Sequence, residues 1–207
     1  MPQKELAEIE VKFLIDDLVA IRQRLAAIGA TLKVPRTYED NIRFDTPGQH
    51  LLQQECLLRL RYDQRHVLTY KEPAPMGDPD FKIRHEYEVE VSNGAQMHAI
   101  LSKLGFVPVW RYEKYRETFT YQNTEIVLDE TPCGVFLEIE GARDAIRTVA
   151  AALGLDFATR ITASYAEIFE AVRATYNLQC TDMTFDNLRS VPIDIWACRP
   201  AWQPGNG

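Results

Sequence analysis

"EIEVKF", residues 8–13, puts Glu8, Glu10 and Lys12 on one side of an extended chain and Ile9, Val11 and Phe13 on the other, because successive side chains of a strand point to opposite faces. In an open sheet such a strand shows its charges to water. In a closed barrel with a polar interior it turns them inward. One strand fits both, so the pattern has to be followed along the chain.

It recurs. In "CLLRLRYD" (56–63) Arg59 and Arg61 oppose Leu58, Leu60 and Tyr62. In "FKIRHEYEVEV" (81–91) Lys82, Arg84, Glu86, Glu88 and Glu90 share one side. Lys114 and Arg116 share a face of "YEKYRETF" (112–119), and Glu138 and Glu140 share a face of "VFLEIEG" (135–141). Lys71 in "VLTYKEP" (67–73) and Asp129 in "EIVLDET" (125–131) add single charges to two more strands. Like charges two residues apart repel, and a solvated surface would carry neutral polar residues among them. Such pairs are stabilised when ligands of opposite sign bridge them. Clustered Arg and Lys suit a polyphosphate. Paired Glu suits a hard cation such as Mg²⁺ or Mn²⁺. A closed antiparallel barrel would aim both sets at one lumen, with helices covering its apolar outside, so the charged face of EIEVKF is expected to look inward.

The remaining elements agree. Alternation covers 6–14, and Asp16 or Asp17 can cap a helix over 18–28 that Gly29 ends. Residues 31–45 read as extended and close in the "DTPG" turn. The runs 56–63 and 67–73 form a hairpin, 73–79 a loop and 81–91 the longest alternating strand. A helix runs from Asn93–Gly94 to about Leu104, then strands cover 109–121, 125–131 and 135–141, and helices fit 142–153 and 162–175. Hairpin-length connections with few helices predict an α+β fold on an antiparallel sheet. The expected division is a domain at 1–175 and a partly packed C-terminal extension at 176–207.

The net charge of −7 argues against a broad surface for nucleic-acid polymers. Four dispersed cysteines with no metal spacing, and neither a signal-like nor a membrane-spanning apolar run, point to a cytoplasmic protein away from membranes. His50, His66, His85 and His98 lack ligand spacing, and no P-loop or dinucleotide fingerprint is present. Thr162 or Ser164 reads as a helix cap, with Tyr165 near the mouth of the lumen. Trp196 and Trp202 suit either a dimer contact or anchoring of the tail, so both monomer and homodimer stay open.

The ordered series "EIEVKF", "FDTPGQHLLQQECLLRLR", "LTYKEP", "KIRHEYEVEV", "RYEKYRETF", "LDETPCGVFLEIEG" and "TASYAEIF" resembles the CYTH superfamily, the triphosphate tunnel metalloenzymes, over residues 6–172. The resemblance implies a closed eight-stranded antiparallel barrel with helices outside and a tunnel for a triphosphate and a divalent metal. It implies Glu8, Glu10, Asp129, Glu138 and Glu140 as metal-side carboxylates, and Lys12, Arg59, Arg61, Lys71, Arg84, Lys114 and Arg116 as the phosphate cradle. Catalysis would rest on Glu8, Glu10, Lys12, Lys71 and Asp129. Glu86 and Glu88 would bind a second metal or hold the basic groups. Thiamine triphosphatases of the family carry a tyrosine before the DTP turn, where this chain has Ile42, Arg43 and Phe44, so thiamine triphosphate drops as a substrate. The chain resembles the branch labelled class IV adenylate cyclase, with ATP converted to cyclic AMP and pyrophosphate. Hydrolysis of ATP or tripolyphosphate is the alternative, and a non-catalytic polyphosphate binder the third reading.

Overall fold

The computed structural model describes residues 7–202. Residues 1–6, which include the expected first strand residue Leu6, and residues 203–207 of the expected extension lie outside it. In chain order the elements are β1 (Ala7–Ile15), α1 (Leu18–Ala27), β2 (Thr31–Asp45), α2 (His50–Gln53), β3 (Leu57–Tyr62), β4 (His66–Pro73), β5 (Lys82–Val91), α3 (Gly94–Lys103), β6 (Val107–Tyr121), β7 (Thr124–Thr131), β8 (Gly134–Glu140), α4 (Arg143–Ala152), α5 (Tyr165–Tyr176), α6 (Phe185–Leu188) and α7 (Ile195–Cys198). The strands form a closed ring in the order β1-β5-β4-β3-β2-β6-β7-β8, with antiparallel pairing throughout. β1 completes it, pairing with β5 through Ala7–Glu10 and with β8 through Glu10–Ile15.

Alternation along β1 now has two destinations. Val11 and Phe13 point outward into a core with Leu137 and Ile139 of β8, Ile126 and Leu128 of β7, and the apolar faces of α1 and α4. Glu10 and Lys12 point inward and are nearly covered. A second core under α3 holds Phe44, Leu58, Leu60 and Leu101. A third joins Tyr112 and Phe136 to Ile168, Phe169 and Val172 of α5 and to Met183, Leu188, Ile195 and Cys198 of the C-terminal segment. Met183 also pairs with β6, accepting from Glu113 N at 3.0 Å and donating to Arg111 O at 3.0 Å.

Local chemistry sets the element ends. The Asp17 carboxylate accepts from Val19 N and Ala20 N at 2.9 Å, starting α1. Gly29, at φ 79°, supplies the left-handed residue that ends it. α5 begins at Tyr165 rather than Thr162 because Ile161 is still paired with Lys12, its N–H donating to Lys12 O at 2.7 Å. Ser164 then forms a reciprocal capping box with Glu167. The "DTPG" stretch, read from sequence only as a turn, leads into α2. Asp45 accepts from the backbone N–H of Thr46, Leu51 and Leu52 at 2.6, 2.9 and 2.9 Å. All four cysteines are free, with Cys56, Cys133 and Cys198 buried. Among the described residues no helix is long and apolar enough to cross a membrane.

Candidate active site

The inward faces of the ring enclose a cavity of about 450 Å³. Of the residues expected in the tunnel, Glu8, Glu10, Lys12, Arg59, Arg61, Lys71, Glu86, Glu88, Lys114, Arg116, Glu138 and Glu140 line it together. Two do not. Arg84 turns its guanidinium to the carbonyl oxygen of Glu55. Asp129, expected on the metal side, is fully buried beneath the wall.

Asp129 is the hub of a basic wall. Its carboxylate accepts from Lys114 Nζ at 2.9 Å, Arg116 Nε at 2.7 Å and the Tyr165 hydroxyl at 2.8 Å. Glu138 takes a similar place, with Lys12 Nζ at 2.7 Å and Arg116 Nη2 at 2.8 Å. Burial alone would raise the Glu138 carboxyl, but Lys12, Arg116 and Lys114 hold it well below its ordinary range. Burial likewise disfavours the Lys12 ammonium, yet Glu138 and Glu10 outweigh it and carry its pKa up to about 12. Both carboxylates therefore spend their oxygens fixing cations whose remaining donors face the lumen.

α5 takes part in this wall through its first residue. The Tyr165 ring lies beneath Lys12 Nζ at 4.8 Å and packs edge-on against Phe136 at 5.4 Å. Tyr165→Phe keeps the ring and removes one hydrogen bond to a buried carboxylate. The variant should lose roughly 1–3 kcal/mol of stability and bind tripolyphosphate more weakly, measured by urea denaturation and calorimetry. Unchanged values in both would detach Tyr165 from the wall.

Elsewhere in the tunnel carboxylates gather. Glu10 and Glu140 are direct partners across β1 and β8, and Glu140 is also opposite Glu125. Burial, then Glu8 and Glu125, push the Glu140 carboxyl up to about 7. Glu86 also rises to about 7, through burial with Glu8 and Glu88 adding to it, although Lys71 lies 3.2 Å away. Glu10 behaves oppositely. Burial raises it, but Lys82 at 2.6 Å and Lys12 at 3.8 Å bring it down to about 2. Among the described residues no three His, Cys, Asp or Glu side chains stand close enough to cage a metal. The donor chemistry nonetheless fits a hard divalent ion. Mg²⁺ is commonly held by one or two carboxylates and completed by phosphate oxygens and water, and Glu140, repelled by Glu8 and Glu10, offers with these lysine-paired neighbours oxygen donors of that kind.

Several lining residues escaped the sequence reading: Glu39, Arg43, Trp110 and Tyr112 face the cavity. Lys82, read as part of the charged face of 81–91, and Tyr165, expected near the tunnel mouth, line it as well. The Tyr112 hydroxyl accepts from Arg59 Nη1 at 3.2 Å, and its ring stacks on Trp110 at 4.6 Å. Trp110 and Tyr112 keep the parity of Lys114 and Arg116 on β6, so the alternation that found the cations also marked these rings. Of Ile42, Arg43 and Phe44, the middle residue faces inward, while its neighbours join the core under α3.

A closed antiparallel ring that turns both signs of charge into its lumen defines a polar-tunnel barrel. The CYTH domain model matches residues 6–163, and the chain belongs to that family. It is 30% identical over 137 residues to a Methanocaldococcus jannaschii protein named "Putative adenylate cyclase", covering 65% of this chain and 77% of the relative. The fold is similar to that of a Vibrio parahaemolyticus protein under the same name, at TM-score 0.72 and 22% identity, over 81% of this chain and 99% of the other. It is also similar to a Hippeastrum adenylyl cyclase homologue described as having a dominant triphosphatase activity, at TM-score 0.55 and 18% identity, over 81% and 96% of the two chains.

Proposed function

We propose that the tunnel binds a linear triphosphate together with Mg²⁺ or Mn²⁺ and catalyses attack at phosphorus, converting ATP to cyclic AMP and pyrophosphate. The observation that carries this reading is the wall of Lys12, Lys114 and Arg116, locked on buried Asp129 and Glu138 and facing a cavity of about 450 Å³. Cations fixed before the ligand arrives can stabilise charge on a phosphate chain without reorganising during reaction. Arg59 and Arg61 supply planar donors for adjacent phosphates. Lys71, held between Glu8 and Glu86, is placed to stabilise charge on a leaving oxygen. Glu8, Glu10 and Glu140 would hold the metal, which when bound supplies Lewis-acid polarisation of a phosphoryl oxygen. Asp129 and Glu138 act through the cations they anchor, a positioning role in place of the metal-side role the resemblance implies for both.

The aromatic pair Trp110–Tyr112 on the same lumen favours a substrate with an organic group beside its phosphates, which supports ATP. Hydrolysis of ATP or tripolyphosphate is the second reading, since it uses the same charge array and the Hippeastrum homologue is described by a triphosphatase activity. Incubation of the purified protein with ATP and Mg²⁺ or Mn²⁺, followed by chromatography, separates them. Cyclic AMP with pyrophosphate is expected; ADP with phosphate would replace the cyclase reading by the hydrolase one. Thiamine triphosphate should turn over least of the three triphosphates.

A further inference from the structure

Each of the other lysines and arginines lining the cavity has a carboxylate within 3.5 Å. Arg43 is the exception among the described residues. Its guanidinium has no ion pair and lies over the Trp110 ring, 5.7 Å from the centroid. Arg43 sits on β2 between Arg59 of β3 and Trp110 of β6. The charges that act on it most are those of Tyr112, Arg84, Asp45 and Arg59. Asp45, the one acid among them, already accepts from three backbone N–H groups at the β2–α2 turn. Tyr112 already accepts from Arg59.

A half-buried guanidinium flanked by two more arginines and lacking a counter-ion weakens the ligand-free fold. An arriving anion reverses that cost, because charge-assisted bonds to phosphate are among the strongest a side chain forms. We propose that Arg43 is a phosphate-recognition residue, the one tunnel cation left uncompensated by protein so that an oxygen of the bound triphosphate becomes its partner. This inference rests on the functional reading above and adds to it. The other cations keep carboxylate partners when the ligand leaves, whereas Arg43 changes from unpaired to paired, so it contributes to affinity out of proportion to its single charge.

Calorimetric titration of sodium tripolyphosphate in EDTA, into the wild type, Arg43→Gln and the charge-matched surface control Lys103→Gln, tests this. Arg43→Gln should raise Kd at least tenfold while Lys103→Gln leaves it unchanged. The ligand-free melting temperature of Arg43→Gln should equal or exceed that of the wild type, because the removed charge had no partner. A Kd within twofold of the wild type overturns the inference and leaves the tunnel reading standing. A lowered melting temperature with weakened binding would show a structural residue and overturn it equally. Failure of the wild type to bind tripolyphosphate would remove both.

Discussion

Asp129→Ala should be the most damaging single change in the tunnel. It would strand Lys114, which is 2% exposed, with only Glu39 at 3.6 Å, and would take from Arg116 one of its two carboxylates. Breaking a buried ion pair from one side costs about 3–5 kcal/mol, since the remaining charge stays in a poorly solvated site. The urea midpoint should fall accordingly, and tripolyphosphate affinity with it. Asp129→Asn, which keeps the shape, should lie between the variant and the wild type. The sign of the effect is diagnostic. An apo-protein carboxylate waiting for metal is relieved by its removal, whereas an anchor for cations is missed. A ligand-free protein that is no less stable after Asp129→Ala would return this residue to the metal side.

Glu140→Gln should move stability the other way. The Glu140 carboxyl ionises near 4.5 in the unfolded chain and at about 7 when folded. Below the lower value both states are protonated and the shift costs nothing. Between the two, unfolded chains release the proton while the native state keeps it, so stability falls as pH rises, by about 1.4 kcal/mol for each pKa unit of difference. Above pH 7 the loss is constant. Without metal, the glutamine variant should therefore be more stable than the wild type at pH 8 and no more stable at pH 4. Some pH slope should survive, because Glu86 is raised to about the same value. Metal-supported turnover should fall by at least the order of 10–100-fold that loss of a group merely orienting a metal's ligands costs. Denaturation at the two pH values gives the first outcome and an assay at saturating Mg²⁺ the second. Near wild-type turnover would count decisively against a metal role for Glu140.

The opposite signs expected for these two carboxylates show what alternation reveals and what it omits. Parity in EIEVKF, LLRLR and LEIE named the side of each strand that faces the lumen, and the closed ring bears this out. Parity does not give depth or partner. Asp129 and Glu140 are both inward by parity, yet the first meets Lys114, Arg116 and Tyr165, and the second meets Glu10 and Glu125. That difference comes from register between strands far apart in sequence, and local periodicity carries no record of it. Tyr165 was expected near the tunnel mouth, but its bond to Asp129 was hidden for the same reason. Its reach to Asp129 depends on Ile161 pairing with Lys12, a contact across most of the chain. The helix start at Asn93, and to within a residue or two those at Asp17 and Ser164, were legible because a cap is made within three residues of itself.

The ring has one further consequence, for the order of events during synthesis. β1 bonds to β5 and β8, so the strand that completes the circle is the first of the eight to leave the ribosome and waits longest for both neighbours. Until Glu140 has been made, one edge of β1 has no mate, and the lumen charges of the other strands have no closed wall to face. Pairing across so long a stretch of chain makes folding slow. A nascent chain paused before β8 therefore carries an open sheet with two bare edges, the geometry that invites pairing with other molecules. Closing the circle removes that hazard along with completing the tunnel.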